Sequence, residues 1–244
     1  MSEASGQSEI RKISIVVPVY NEAENIETLV SEISPLEIRG LDVEIIIVDD
    51  GSTDDTWRIL MECRRKCSAV RPVRHTVNMG QSAAMLTGIH SSSGDVIVTM
   101  DGDLQNNPAD IPRLLDALEG CDVVCGYRFK RRDSLSRRWA SKIANWARNR
   151  ITRDGVRDTG CSLKAFRRSC IGDLPMLDGV HRFMPAYFAL AGRRITEIPV
   201  DHRPRSRGES KYGNLSRLPR TVLDLIGFAW YRRRLIRPVK IERG

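Results

Sequence analysis

Apolar runs alternate with stretches of helical periodicity along most of the chain. Ile13 to Val19 is the first run and reads as a core strand. After Asn21 a helix starts at about Glu22, with Ile26, Leu29, Val30 and Ile33 on one apolar stripe. Val43 to Val48 is a nearly unbroken apolar run, the pattern of a strand covered on both faces. Asp49 to Thr53 end it, and Thr53 or Asp54 can cap a helix carrying Trp57, Leu60 and Met61. A short strand near Val70 to His75 leads through Asn78 and Gly80 into a helix with Ala83, Ala84, Met85 and Ile89. A strand from Val96 runs out at Met100, and Asn106, Asn107 and Pro108 turn the chain into a helix from Ala109 with Ile111, Leu114, Leu115 and Leu118 at helical spacing. Strand, helix, strand, helix in this order implies an α/β fold with a mostly parallel central sheet and helices on both faces.

Past Tyr127 the pattern loosens. Leu135, Trp139, Ile143 and Trp146 line one face of a basic helix, and Asp158 to Ser162 forms a turn before the apolar-polar run Leu163 to Phe166. Arg194 to Val200 reads as a late edge strand, and Arg203 to Gly213 is a loop too polar for a core. A C-terminal amphipathic helix over Leu215 to Trp230 carries Leu218, Val222, Leu225, Ile226 and Ala229 on one face, followed by Arg232, Arg233 and Arg234. Residues 1–12 read as a flexible N-terminus, 13–205 as one α/β domain, and 206–244 as a polar loop with a basic amphipathic helix and tail.

Charge sharpens this division. The net charge is +8, but through Gly126 there are 10 Lys and Arg against 21 Asp and Glu, and from Tyr127 onward 29 against 10. An acidic half joined to a basic half suits a protein that holds several phosphates or sits on an anionic surface. The basic half has no groove-reading motif, so no nucleic-acid partner is expected. Met1 to Glu9 is polar and unlike a signal peptide, which places the expected activity at the cytoplasmic face. Thr221 to Trp230 contains Asp224 and falls far short of the roughly 20 apolar residues of a spanning helix. Its aromatic end and arginines instead match a helix lying peripherally on an anionic membrane, with packing of its apolar face on the catalytic domain as the alternative. Six cysteines show no C-x-x-C pair and read as packing residues.

The chemistry concentrates where the Val96 strand ends. Asp101 and Asp103 follow it, separated by one residue, at the carboxyl end of a strand where open α/β sheets bind ligands. In extended chain the two would point the same way. Hard oxygen ligands of this kind suit Mg²⁺ or Mn²⁺ with the remaining ligands from water and substrate phosphates. Gly102 would let the backbone approach a ligand. Asp50 also follows a strand end and is expected on the same rim. No Gly-x-Gly-x-x-Gly or Walker loop follows the first strand, so carboxylates and loops must grip the nucleotide.

These segments together resemble the family 2 glycosyltransferases: VVPVYNE at Val16 to Glu22, VDDGSTD at Val48 to Asp54, Asn78 to Gly80, MDGDLQNNP at Met100 to Pro108, DTGCSLKAF at Asp158 to Phe166 and RGESKYG at Arg207 to Gly213. The nearest group is the dolichyl- and polyprenyl-phosphate sugar synthases. The resemblance implies a GT-A fold, inversion at the sugar and a divalent metal. It implies that Pro18, Tyr20 and Glu22 line the nucleotide pocket, that Asp50 contacts base or ribose, and that Asp101 and Asp103 hold metal and diphosphate beside Gln105. Arg205 to Lys211 would close over phosphates, and Arg128 and Arg138 fall near positions that bind donor or acceptor phosphate. Asp103, Asp158, Arg205 and Lys211 are the expected catalytic set, with Arg138, Arg205 and Lys211 on the acceptor phosphate. Asp158 is expected to orient the acceptor or the arginine loop rather than act as a strong base.

The expected donor is a nucleotide sugar, GDP-mannose or a UDP-sugar, and the expected acceptor a polyprenyl phosphate, with a membrane protein or a second copy as further partners to test. The rivals are transfer to a saccharide or another lipid, and a sugar nucleotidyltransferase. Nucleotidyltransferases usually present a Gly-rich basic loop after the first strand, where this chain has the acidic Tyr20-Asn-Glu-Ala-Glu.

Overall fold

The computed structural model describes residues 9–36, 38–129, 148–204 and 217–235, the side chains of the last segment from 222 onward. The chain divides into two compact units, Met1–Arg132 with Val156–Gly208 and Asp133–Gly155 with Glu209–Gly244.

The first unit is built on one sheet of seven strands: β1 (Lys12–Val19), β2 (Asp42–Asp49), β3 (Val70–Arg74), β4 (Val96–Thr99), β5 (Val123–Arg128), β6 (Lys164–Arg167) and β7 (Ile195–Val200). Their spatial order is β3-β2-β1-β4-β6-β5-β7. All pairs are parallel except those of β6, which runs antiparallel between β4 and β5. Helices α1 (Ala23–Ile33), α2 (Thr56–Lys66), α3 (Gln81–Ser91), α4 (Ile111–Ala117) and α5 (Val180–Leu190) complete the unit.

Alternation along the strands sorts the core into two faces. Ile13, Ile15 and Val17 of β1 and Ile45 and Ile47 of β2 share a buried cluster with Ile26, Leu29 and Ile33 of α1, Leu60 of α2 and Leu114 of α4. Each such side chain contributes roughly 1.5–3 kcal/mol when fully buried. On the other face α3 lies close to the sheet: a Cβ on Gly88 would sit 2.4 Å from Val16 Cγ1, so only glycine fits. Phe166 of β6 meets Phe188 of α5 there, with ring centroids 5.1 Å apart.

Pro18 sits inside β1 without breaking the ladder. Val16 O accepts from Met100 N at the end of β4. Pro18, two residues on, therefore faces the same side past the end of that strand, where no N–H is needed.

Several expectations shift. The helix expected from Ala109 opens with a 3₁₀ turn, Pro108–Asp110, capped by Asn107 Oδ1 on Ala109 N at 3.2 Å, and turns α-helical at Ile111. Neither β5 nor α5 stands out in the hydrophobic pattern. Gly126 interrupts β5, and α5 carries Pro185 and buries Val180, Phe183, Met184, Ala186, Tyr187 and Phe188. A helix apolar around most of its circumference shows no single stripe.

In the second unit, α6 (Arg217–Arg234) buries Phe228 and exposes Val222, Leu223, Ile226 and Trp230. Val222 and Ile226 of the expected stripe therefore face solvent among the described residues. Arg232 donates to Ile151 O at 2.8 Å. Ile151, Arg153, Ala229, Arg232 and Arg233 line a cavity of about 440 Å³. No helix among the described residues is long and apolar enough to cross a membrane. The expected basic helix over Leu135 to Trp146 lies outside the described residues, as do Arg138, Arg205 and Lys211.

Candidate active site

The carboxyl ends of β1, β2, β4, β5 and β7 share one rim, and the Met100 to Pro108 segment bends across it. β4 ends at Thr99, so Asp101 and Asp103 lie on a bend rather than on extended chain. Alternation therefore does not govern their direction. Leu104 takes a left-handed backbone, φ 62°, while its side chain is tucked into the core. A branched residue in that region stores strain of about 1–3 kcal/mol, a feature concentrated at functional sites. The bend brings Gln105 N to Asp103 Oδ1 at 3.2 Å. Packing also requires glycine at 102: a Cβ there would lie 2.6 Å from Val19 Cγ1.

Asn106 ties the bend to β6. Its Oδ1 accepts from Asp101 N at 3.0 Å and from Ser162 Oγ at 2.8 Å. Gln81, first residue of α3, donates to Asp101 Oδ1 at 2.9 Å. Burial and the neighbouring Asp103 carboxylate push the Asp101 carboxyl above its ordinary pKa, against the pull of the Ser162 hydrogen bond and the charges of Lys164 and Arg128. Two carboxylates are thus held close enough to repel.

Arg128, at the end of β5, forms a two-pronged pair with Asp158: Nε to Oδ2 at 2.7 Å and Nη2 to Oδ1 at 2.8 Å. The Arg128 backbone N–H adds a contact to Oδ2 at 3.2 Å. Asp101, Gln105 and Arg128 line one small polar cleft together with Asn106, Gly160, Cys161, Ser162 and His202. Its volume of about 40 Å³ is room for an ion or a water.

Asp50 has a different character. Its carboxylate accepts from His75 Nδ1 at 2.7 Å, Met79 N at 2.9 Å and Gly80 N at 2.7 Å, and it is almost fully buried. It holds the 75–80 loop in place and so positions Gln81. Pro18 is buried in β1, and Tyr20 is exposed beside it. Glu22 precedes α1, where it accepts from Asn25 Nδ2 at 2.5 Å while its own N–H bonds Thr56 Oγ1 at 2.9 Å. None of Pro18, Tyr20, Glu22 and Asp50 lines the small cleft.

Asn106, Gly160, Ser162, Gln81 and His202 were not expected at the site. Asn106 and Ser162 meet only because β6 inserts antiparallel beside β4, and His202 arrives through an isolated bridge to Asn106. Neither pairing has a local spacing signature.

An open, mostly parallel sheet with a carboxylate-lined rim defines a GT-A type α/β fold. Glucosyl-3-phosphoglycerate synthase from Mycobacterium tuberculosis, solved with Mn²⁺, UDP and phosphoglyceric acid, superposes with a TM-score of 0.69 at 24% identity, over 93% of this chain and 80% of that one. Residues 14–174 match Glycosyl transferase family 2. Dodecaprenyl-phosphate galacturonate synthase from Rhizobium johnstonii is 40% identical over 240 residues, 93% of this chain and 69% of that protein. Undecaprenyl-phosphate 4-deoxy-4-formamido-L-arabinose transferase from Salmonella paratyphi B is 40% identical over 220 residues, 89% of this chain and 67% of that protein. The chain belongs to the family 2 glycosyltransferases.

Proposed function

We propose that this chain moves a sugar, with inversion, from a nucleotide-diphosphate donor to a polyprenyl phosphate at a membrane surface. The observation that carries the proposal is the cleft where Asp101, Gln105 and Arg128 converge beside Asp103. Two relatives are named for transfer to dodecaprenyl or undecaprenyl phosphate. Their sugars, galacturonate and formamido-arabinose, stand beside the mannose and glucose suggested by the motifs as donors to test, carried on UDP or GDP.

Mg²⁺ or Mn²⁺ fits Asp101 and Asp103. Such an ion takes few protein carboxylates and would draw its remaining ligands from water and donor phosphates. The fit is also electrostatic, because two repelling carboxylates gain from a divalent cation. Such an ion supplies charge stabilisation to the departing nucleotide diphosphate. Gln105 lies at the cleft wall to meet the donor.

The acceptor needs little activation. A phosphate monoester has a second pKa of about 6 and is largely an anion at neutral pH. Asp158 is committed on both oxygens to Arg128, so its role is to hold that guanidinium toward the cleft, where it can bind a phosphate oxygen. Arg205 and Lys211 are assigned to close over the phosphates. In support, Arg203 N donates to Gln105 O at 2.9 Å and its guanidinium grips Glu32 at 2.8 Å and Asn107 at 2.9 Å, so the chain leaves for that loop from beside Gln105. Asp50 shapes the nucleotide pocket through the 75–80 loop, with Pro18, Tyr20 and Glu22 on the neighbouring strand end. The exposed Val222, Leu223, Ile226 and Trp230 of α6, followed by Arg232 to Arg234, form the surface proposed to rest on the cytoplasmic face of an anionic membrane.

The test is transfer of label from UDP-galacturonate, UDP-formamido-arabinose, UDP-glucose or GDP-mannose to undecaprenyl phosphate in anionic vesicles with Mn²⁺. Organic-extractable product from one donor is expected. Hydrolysis or transfer only to water-soluble acceptors would overturn the lipid acceptor.

A further inference from the structure

Lys164 opens β6 and is one of the largest fully buried side chains, 2% exposed. Its ammonium donates to the Cys161 carbonyl. A lysine has three N–H donors and is seldom buried without a carboxylate partner. Here no carboxylate lies within ion-pair distance among the described residues. The residue is registered by its strand, with Thr99 of β4 on one side and Cys125 of β5 on the other. Thr99 Oγ1 bonds Ser162 O at 2.8 Å, and Ser162 Oγ bonds Asn106, which in turn holds Asp101 N. The cation is thus built into the frame of the cleft, one layer behind it. Its field reaches both Asp101 and Cys161.

Had the ammonium paired directly with Asp101, it would occupy the position of a metal ion. Anchored on the Cys161 carbonyl, it forms no ion pair with Asp101 while adding a positive charge nearby. Two carboxylates and a divalent ion sum to zero; the buried lysine leaves that assembly with one excess positive charge, which the negative charge of an incoming diphosphate more than offsets.

We infer that Lys164 is a positioning residue that weakens divalent-metal binding to the empty site and so couples metal binding to arrival of the diphosphate donor. The inference rests on the proposed metal site at Asp101 and Asp103. It assigns this chain a binding order: metal and donor enter together, and neither holds firmly alone.

The experiment is Mn²⁺ titration followed by electron paramagnetic resonance on the full chain, with Mn²⁺ alone and with inorganic pyrophosphate. Lys164→Met removes the charge, Lys164→Gln removes it while keeping a donor for the Cys161 carbonyl, and Lys164→Arg keeps it. A single charge acting on a half-buried pair of carboxylates changes divalent affinity by about tenfold. The neutral variant that remains folded by circular dichroism should bind Mn²⁺ alone about tenfold more tightly than the wild type and lose most of the enhancement by pyrophosphate, with Lys164→Arg retaining it. Equal Mn²⁺ affinity in wild type and neutral variants, with binding abolished by Asp103→Asn, would overturn the inference and leave the metal site standing. No Mn²⁺ binding by any form with pyrophosphate, or binding unaffected by Asp103→Asn, would overturn the metal site itself.

Discussion

Two carboxylates at opposite ends of the same sheet show how this fold separates stability from chemistry. Glu44, at the amino end, accepts from Ser14 Oγ at 2.5 Å, Ser93 N at 2.6 Å and Arg71 at 2.6 Å, with Lys12 at 3.3 Å. Burial alone would raise its pKa, but the hydrogen bonds from Ser14, Ser93 and Arg71 outweigh it and bring the value to about 2. Asp101, at the carboxyl end, is pushed the other way by burial and by Asp103. One end is saturated with donors and the other holds charge that its surroundings do not balance. The unbalanced end is the one that gains from a cationic ligand.

The largest expected effect comes from removing the unbalanced charge where it is used. Asp103→Asn should lower sugar transfer by about a hundredfold or more, the scale of losing a group that stabilises transition-state charge. Its melting temperature should stay at or slightly above that of the wild type, because a rim carboxylate contributes little packing and its loss relieves the repulsion on Asp101. Transfer within a few-fold of wild type at ordinary Mn²⁺ would remove Asp103 from the reaction.

Glu44→Ala attacks the saturated end and should do the reverse. It strips the partner from Arg71 and Lys12 and leaves the Ser93 N–H without its acceptor, costing about 3 kcal/mol in urea unfolding while the chemistry of the folded enzyme survives. A carboxylate whose folded pKa lies below its unfolded value stabilises the fold above the unfolded pKa and loses that stabilisation as pH falls through the folded one. For Glu44 the window runs from its ordinary value, 4.5, down to about 2. Wild-type stability should fall across that interval, and the fall should be shallower in Glu44→Gln. Parallel pH profiles for the two proteins would show that Glu44 is not the group responsible.

The same contrast explains what was legible along the chain. Glu44 lies in a run otherwise apolar from Val43 to Val48, so the strand was evident while the role of its one charge was not: its partners sit on β1, β3 and the turn before β4. Asp101 and Asp103 were readable as a site because an apolar strand ends immediately before them. The cleft around them was readable only in part. Arg128 and Gln105 followed from the family resemblance and Asn106 holds Asp101 within their shared bend, whereas Ser162 and Lys164 are brought to the frame of the cleft by the antiparallel insertion of β6. Hydrophobic periodicity marks elements but not the order of strands in a sheet. Strand alternation gives no guide to how Asp101 and Asp103 point, because β4 ends at Thr99 and the two lie on the bend beyond it. In α5, Pro185 and the wide apolar surface hid a helix that the core requires.

The smallest effect should be the most telling. Asp101→Asn keeps the shape of the side chain and an oxygen to accept from Gln81 Nε2, while removing the charge that Asp103 repels. If the rim is held in an unfavourable charge state for the sake of its ligand, this variant should be more stable than the wild type by roughly 0.5–2 kcal/mol while losing transfer activity. The sign also depends on pH. An acid whose folded pKa is raised destabilises the fold as pH climbs from the unfolded toward the folded pKa, so the advantage of asparagine should grow across that interval and then level off. Urea unfolding at several pH values, without metal, measures this directly. Wild-type stability equal to or above that of Asp101→Asn at neutral pH would mean that Lys164, Arg128 and Ser162 already compensate Asp101 in full, and the contrast between the two ends of the sheet would fail.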